Sequence, residues 1–163
     1  MATQLKNLSD FSHTTIPNAS PYKFAIAVAE WNAEVTGSLY KGALDKLLMH
    51  GVDESNILSV SVPGSFELTS AAELILNKHP YLDAVICLGC IIQGETRHFD
   101  FICDAVAHGL TQVGIKHNKP VIFGVLTTND QQQAIDRAGG KHGNKGDEAA
   151  ITAIKMADLA ATI

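Results

Sequence analysis

The sequence has little charge: only 18% of its 163 residues are Asp, Glu, Lys or Arg, whereas 46% are hydrophobic. Basic residues are outnumbered, 12 against 17 acidic ones, and the formal net charge is −5. Proteins that bind nucleic acid or anionic membranes usually present a basic surface, so this balance argues against both kinds of partner. A low charged fraction is also expected where neighbouring subunits cover much of a chain's surface.

Long hydrophobic runs are missing as well. No segment approaches the roughly 18 consecutive apolar residues that a membrane-spanning helix needs. The first residues do not combine a basic start with an apolar run, which is the pattern of a secretory signal. Both absences favour a cytoplasmic protein that makes no membrane contact.

Cysteine is scarce, with three residues, and an odd number is typical of a reducing compartment. Cys87 and Cys90 have the C-x-x-C spacing of redox and zinc sites. They fall in a predicted buried strand, however, where residues three positions apart point to opposite faces of the sheet. We therefore predict two core residues rather than a redox or metal site. Apart from His98, the histidines show no pairing typical of metal ligands, so we expect neither a metal nor a cofactor.

One domain is the natural interpretation of this length. Residues 1–22 are polar, include two prolines and lack periodicity, which predicts an extended N-terminal arm before a single domain at 23–163. Within that domain, apolar segments alternate with helical patterns. Strand–helix alternation requires crossover connections, so we expect an open parallel sheet with helices on both faces. Its four predicted strands are Lys23–Glu30, Ile57–Val62, Ala84–Ile92 and Val121–Leu126.

Local signals place helices between these strands. Asn32 is a candidate N-cap for the first helix, which Gly51 ends, and Ser65 is a candidate N-cap for the second. A third helix, a short helix and a glycine-rich loop before the last helix are expected at about Phe99–His117, Thr128–Ala138 and Gly139–Gly146.

In open parallel sheets, ligands bind beyond the carboxyl ends of the strands. After the third predicted strand, Gly94–His98 leads into a helix whose N-terminus suits an anion. Thr96 adds a hydroxyl donor, and His98 can either exchange protons near neutral pH or simply cap the helix. After the first strand, Trp31 can stack on a flat heterocycle or pack in the core. Glu67 lies at another strand-to-helix turn, where it favours the helix dipole with or without a ligand.

Four motifs coincide with these strand ends. The longest is GCIIQGETRHFD at Gly89–Asp100. The others are VPGSFE at Val62–Glu67, FGVLTT at Phe123–Thr128, and Arg137-Ala138-Gly139 followed by Gly143-Asn144-Lys145-Gly146. In this order they resemble the signature of the 6,7-dimethyl-8-ribityllumazine synthases. The resemblance extends over about Lys23 to Asp158, nearly the whole chain.

The resemblance implies a flavodoxin-like three-layer α/β/α sandwich with a four-stranded parallel sheet. It also implies the penultimate step of riboflavin biosynthesis. Such cofactor-free transferases join 5-amino-6-ribitylaminouracil to 3,4-dihydroxy-2-butanone 4-phosphate, giving 6,7-dimethyl-8-ribityllumazine, phosphate and water.

Site roles follow from the resemblance position by position. His98 matches the general acid/base. Positions that match pyrimidine and ribityl contacts are Trp31, Ser65, Phe66, Glu67, Cys90, Ile91, Ile92 and Phe123. Those that match phosphate contacts are Glu95, Thr96 and Arg137, and Lys145 with Glu148 matches a supporting charged pair. Phe123, Arg137 and that pair match residues that a neighbouring subunit donates.

Two positions depart from the commoner pattern of the family. Trp31 stands where many members have phenylalanine, which keeps the stacking role and enlarges the aromatic face. Glu95 stands where a small residue is usual. Because a carboxylate repels phosphate, we expect the Glu95 side chain to point away while its backbone N–H donates.

The resemblance further implies a homopentamer with sites between adjacent subunits. The loop Gly139–Gly146 carries no insertion, which favours assembly of pentamers into a 60-subunit icosahedral shell, with riboflavin synthase as a candidate partner. Two alternatives remain at this point: a container protein of the same fold that holds a flavin or lumazine without turnover, and a flavodoxin-like signalling domain. The presence of both His98 and Arg137 argues against a passive container, which needs neither a proton shuttle nor a phosphate clamp.

Overall fold

The computed structural model describes residues 7–163. Four parallel strands form one sheet in the order β2-β1-β3-β4, with β1 at Phe24–Ala29, β2 at Ile57–Val62, β3 at Ala84–Ile92 and β4 at Val121–Thr128. The helices are α1 at Ala33–Met49, α2 at Leu68–Lys78, α3 at His98–His117, α4 at Gln131–Asp136 and α5 at Lys145–Thr162. Two short 3₁₀ turns, Glu54–Asn56 and Ser65–Glu67, flank β2.

The hydrophobic core has two parts, one on each face of the sheet. Leu39 of α1 and Ile154 of α5 belong to the part that contains Ile86 of β3. Leu68 of α2 and Leu110 of α3 belong to the other part. Residues of β3 alternate between the two, as a central parallel strand that is covered on both faces must. The predicted three-layer α/β/α sandwich is confirmed.

The two C-x-x-C cysteines lie on opposite faces of β3, as the strand period requires. Cys90 packs with the α1 and α5 side of the core and Cys87 with the α2 and α3 side. Burial raises the pKa of Cys87 to about 12 and that of Cys90 to about 11, so both thiols stay protonated near neutral pH. Among residues 7–163 all three cysteines are free.

The strand–turn segment after β4 differs from the prediction. The short helix ends at Asp136 rather than Ala138, and the expected glycine-rich loop contains a β-hairpin of β5 (Ala138–Gly140) and β6 (Gly143–Asn144). Two glycines in left-handed backbone, Gly139 at φ 108° and Gly143 at φ 81°, permit this tight turn. The last helix starts directly after the hairpin, because the Asn144 side chain accepts a hydrogen bond from Gly146 N at 2.8 Å.

The described part of the N-terminal arm, residues 7–22, contains no helix or strand. It lies against its own chain: Leu8 N donates to His142 O at 2.8 Å, and the Tyr22 hydroxyl donates to Asp158 Oδ1 at 2.9 Å. Phe11 and Ile16 pack on the α1 and α5 side of the core. Residues 1–6 of the predicted arm lie outside the described residues. In the part of the chain that the structure describes, no helix combines the length and apolarity needed to cross a membrane.

Candidate active site

An open cleft of about 600 Å³ lies beyond the carboxyl ends of β1, β2 and β3. Ligand pockets typically have volumes of roughly 300–1,000 Å³. The described residues that line it are Trp31, Asn32, Gly64, Ser65, Phe66, Glu67, Cys90, Ile91, Ile92, His98 and Ile102. The cleft therefore brings together His98 and every residue predicted to contact the pyrimidine and ribityl groups, except Phe123.

Asn32 is a site residue whose position the sequence reasoning missed. We predicted it as a side-chain cap of α1, but it lies in left-handed backbone at φ 62° and makes no capping hydrogen bond. Instead, Asn32 Nδ2 donates to Cys90 O at 3.0 Å, which joins the loop after β1 to the end of β3. Asparagine tolerates this left-handed backbone better than most residues, and its position directly after β1, at the ligand-binding end of the sheet, is a second signal in the sequence.

Peptide groups at the end of β3 are available to the cleft. Strand β3 runs beyond β1, whose pairing with it ends at Val28 opposite Leu88. Gln93 N donates to Thr128 O on the β4 side, so strand alternation turns the peptide groups of Cys90 and Ile92 toward the β1 side. Apart from the Asn32 contact, no hydrogen bond from the described residues occupies that edge beyond Leu88.

Ser65 does not cap α2 as predicted. It opens the 3₁₀ turn Ser65–Glu67 that precedes the helix, and Gly64 is extended before it. The residue is 7% exposed, and its Oγ is buried with no hydrogen-bond partner among the described residues. A buried hydroxyl without a partner costs about 1–3 kcal/mol, so a ligand that supplies the partner recovers this loss.

Phe66 and Trp31 present aromatic faces to solvent at the cleft, 55% and 73% exposed respectively. The backbone N–H of Trp31 donates to Pro63 O at 3.2 Å, and that of Glu30 to Val62 O at 2.8 Å. These bonds tie the loops after β1 and β2 together. Core packing, the alternative for Trp31, is wrong.

His98 is the first residue of α3 and is exposed on the cleft. Its backbone N–H donates a long hydrogen bond to Thr96 Oγ1 at 3.4 Å, and Arg97, the N-cap residue of α3, makes no side-chain capping bond. Within the described residues no hydrogen bond or ion pair engages the His98 imidazole, which leaves both ring nitrogens free for a ligand. The alternative that this side chain only caps α3 is therefore not supported.

The turn before His98 is exposed throughout. Arg97 Nε lies 3.6 Å from Asp100 Oδ2, and Gln93 Nε2 donates to Gly94 O at 2.9 Å. The Glu95 side chain makes no ion pair with any described residue. This is the segment in which we predicted phosphate contacts by Glu95 and Thr96, and neither residue lines the cleft.

The remaining predicted site residues lie elsewhere on the chain. Phe123 lies on the edge strand β4, opposite Cys87 in register and 36% exposed. Arg137 follows α4, where its Nη1 donates to Gln133 O at 3.1 Å. Lys145 Nζ lies 2.9 Å from Glu148 Oε1 in a partly buried pair, and Lys145 N donates to Arg137 O at 2.8 Å. None of these four lines this chain's own cleft.

The electrostatic balance of the cleft is unusual for a site predicted to take a phosphate ester. Its described lining includes one carboxylate, Glu67, and no lysine or arginine. A lysine or arginine that pairs with an anionic substrate must therefore come from outside this set of residues. Within the described residues, no group of three or more His, Cys, Asp or Glu side chains is arranged to hold a metal ion.

Comparison with known proteins agrees with the motifs. The family model of 6,7-dimethyl-8-ribityllumazine synthase matches residues 21–161. The chain belongs to this family. Relatives that carry the same name include a Cytophaga hutchinsonii protein, 61% identical over the full length of both chains. A Porphyromonas gingivalis relative is 53% identical over 98% of each chain, and one from Christiangramia forsetii is 50% identical over 98% of this chain and 95% of its own.

The match to the lumazine synthase family covers the residues that line the cleft and also the predicted site residues that lie outside it. Residues 21–161 include all strands and the hairpin that follows Arg137. The family assignment made from the four motifs is confirmed, and a signalling domain of the same general fold is excluded.

Proposed function

We propose that the protein is a cofactor-free lumazine synthase. It condenses 5-amino-6-ribitylaminouracil with 3,4-dihydroxy-2-butanone 4-phosphate to 6,7-dimethyl-8-ribityllumazine, the penultimate step of riboflavin biosynthesis. The observation that carries the proposal is one cleft, in a member of this family, that unites an unengaged His98 imidazole with the exposed Trp31 ring and the unpartnered Ser65 hydroxyl.

In this proposal the pyrimidine binds between Trp31 and the end of β3. The exposed indole of Trp31 offers a stacking face for the flat ring. The peptide groups of Cys90 and Ile92 that face the β1 side, apart from the Cys90 carbonyl that Asn32 occupies, can pair with the polar edge of the pyrimidine. Ile91 pairs with β4 and holds the strand in place. A planar ring that carries adjacent donors and acceptors fits such a strand edge.

The ribityl chain is proposed to bind the turn after β2. The Ser65 hydroxyl gains the partner it lacks, and the exposed Glu67 carboxylate accepts hydrogen bonds from ribityl hydroxyls. Phe66 covers this part of the cleft with its exposed ring. Hydroxyl-rich chains suit such a mixed polar and apolar surface.

His98 is proposed to move the protons of the reaction. The aromatic amine attacks the ketone, and loss of water gives an imine. Phosphate is then eliminated, which leaves an enol that tautomerises to a new carbonyl group. The ribityl-bearing nitrogen attacks this new carbonyl and closes the second ring with loss of a second water. Each step moves a proton or releases an anion, which is general acid/base chemistry suited to an imidazole. Holding both substrates in one cleft supplies further acceleration through proximity.

A neighbouring subunit is proposed to complete the site. The cleft's described lining contains no lysine or arginine, whereas Arg137 lies outside the cleft with guanidinium donors to spare. We propose that Arg137 of one chain clamps the phosphate bound at the Glu95–Thr96 turn of the next. Phe123 closes the pyrimidine pocket from the same side, and the pair of Lys145 and Glu148 supports Arg137.

Such head-to-tail sharing closes into a ring, which we propose to be a homopentamer. The short hairpin after Arg137 favours further assembly into a 60-subunit icosahedral shell, with riboflavin synthase as a candidate partner. The three unpaired cysteines suit the cytoplasm as the place of action.

A direct assay tests the proposed activity. Purified protein is mixed with both substrates, and lumazine fluorescence and phosphate release are followed together. Reactions that lack either substrate or the protein give the background. Stoichiometric lumazine and phosphate above this background are expected. Tight binding of lumazine without any rate above background would identify a container protein instead.

A further inference from the structure

The side chain of Ser65 explains why a glycine, Gly89, occupies a position inside β3. Gly89 is buried, and it pairs with Val125 of β4 in the centre of the sheet. Glycine weakens the interior of a strand, and it often marks a place where another group approaches the backbone closely. Here that group is Ser65, the residue with the unpartnered buried hydroxyl.

The space that a side chain at position 89 needs is already filled. A Cβ on Gly89 would lie 2.5 Å from Ser65 Oγ, 3.2 Å from Ser65 Cβ and 3.1 Å from Leu68 Cδ1. Leu68 is fully buried at the start of α2, so it has little room to move. The Ser65 hydroxyl is the atom that must leave if position 89 gains a methyl group.

From this contact we infer that Gly89 is a positioning residue for binding of the substrate 5-amino-6-ribitylaminouracil (the ring amine). This inference rests on the proposed function. Its missing side chain creates the recess that holds Ser65 Oγ in the floor of the cleft, next to the peptide groups at the end of β3. Gly89 itself touches no substrate and acts only through Ser65. Alanine at position 89 moves the hydroxyl out of the recess and removes its hydrogen bond to the ligand.

A double-mutant cycle tests the inference, using Gly89→Ala, Ser65→Ala and the double variant. Loss of one hydrogen bond predicts a roughly three- to tenfold increase in KM for 5-amino-6-ribitylaminouracil and in Kd for the lumazine product with either single change. The double variant should have a KM and a Kd close to those of Ser65→Ala alone, since the methyl group then has no hydroxyl to displace. Only its contacts with Leu68 Cδ1 at 3.1 Å and with the Cβ of residue 65 at 3.2 Å remain, and these need small shifts. The KM for the ketone phosphate should stay the same in all three.

Gly109→Ala is the matched control. Its Cβ would lie 2.6 Å from Thr69 Oγ1, in a similar clash between α3 and α2. Neither residue lines the cleft. This variant should lower the melting temperature without changing KM for the ring amine, which separates general destabilisation from a displaced Ser65.

Three results overturn the inference. They are an unchanged KM in Ser65→Ala, an unchanged KM in Gly89→Ala, and multiplied effects of the two changes in the double variant. Failure of the proposed function looks different, because the unsubstituted protein itself then makes no lumazine. In that case the same double-mutant cycle is evaluated by comparing the melting temperatures of the variants instead of their KM values. Coupling between positions 65 and 89 still supports the steric contact, and additive melting temperatures refute it.

Discussion

Arg137 and His98 should act on the same substrate from different chains. His98 lines the cleft at the start of α3, whereas Arg137 lies outside that lining, after α4. His98→Ala should lose the roughly 10²–10⁴-fold that a general acid/base contributes. Arg137→Ala should lose a charge-assisted phosphate contact worth about 1.5–3 kcal/mol, or roughly 10- to 150-fold in kcat/KM. Each variant alone is then a weak enzyme.

Mixing the two variants should restore activity in proportion to the fraction of sites that keep both residues. In a ring assembled at random from equal amounts, each site takes His98 from one chain and Arg137 from the next. Both are intact in about one quarter of the sites, so about one quarter of the unsubstituted activity should return. The assay is lumazine formation after joint unfolding and refolding, with subunit exchange verified by native mass spectrometry.

A matched mixture distinguishes sharing between chains from simple rescue. The doubly substituted chain, mixed equally with unsubstituted chain, also leaves about one quarter of the sites intact if the residues come from different chains. It leaves about half intact if both residues come from one chain. Absence of recovery in the first mixture after verified exchange, together with half activity in the second, refutes the shared site.

Three further outcomes are expected. Gly146→Ala should lower the free energy of unfolding, measured in urea, by about 1–3 kcal/mol or more, because its Cβ would overlap Leu39 O of α1. Gly37→Ala is the control and should not lower it, because a Cβ at position 37 meets nothing within 4 Å. Hydrogen bonds from Lys116 and two other side chains lower the pKa of Glu73 from 4.5 to about 2. The ionised Glu73 therefore stabilises the fold above pH 4.5, and this stabilisation disappears as the pH falls toward 2. Glu73→Gln should remove this pH-dependent part of the stability. Acid titration of unfolding free energy for both proteins should show their difference shrinking over that interval, and a constant difference contradicts it. Light scattering after size exclusion in phosphate buffer should give about 1 MDa for a shell of 17.4 kDa chains, and a mass of about 87 kDa would show a pentamer instead.

The sheet was predictable because its strands carry strong, local signals. The apolar run of β3 is bounded by a turn on each side, and the observed limits of β2 and β3 are those predicted. The opposite placement of Cys87 and Cys90 follows from the two-residue period alone. The sequence did not predict the hairpin, because glycines at φ 108° and 81° are as common in irregular loops as in hairpin turns. Only the pairing between β5 and β6 distinguishes a hairpin from a loop.

The site was predictable in its membership but not in its contacts. Motif resemblance and the strand-end rule both led to His98, Trp31 and the turn after β2. The hydrogen bond from Asn32 to Cys90 depends on how far β3 extends beyond β1, which no local pattern encodes. Likewise, the recess that holds Ser65 exists only once the turn packs against Gly89. Contacts between segments far apart in the chain need the folded structure.

In the proposed function, this cleft makes lumazine with His98 as its proton shuttle. The most direct measurement compares kcat for lumazine formation by the unsubstituted protein and by His98→Ala across the pH range, with the spontaneous reaction subtracted, alongside the Kd of the lumazine product for both. Loss of the imidazole should lower kcat by roughly 10²–10⁴-fold and leave Kd nearly unchanged. An unchanged kcat at every pH would remove His98 from the mechanism.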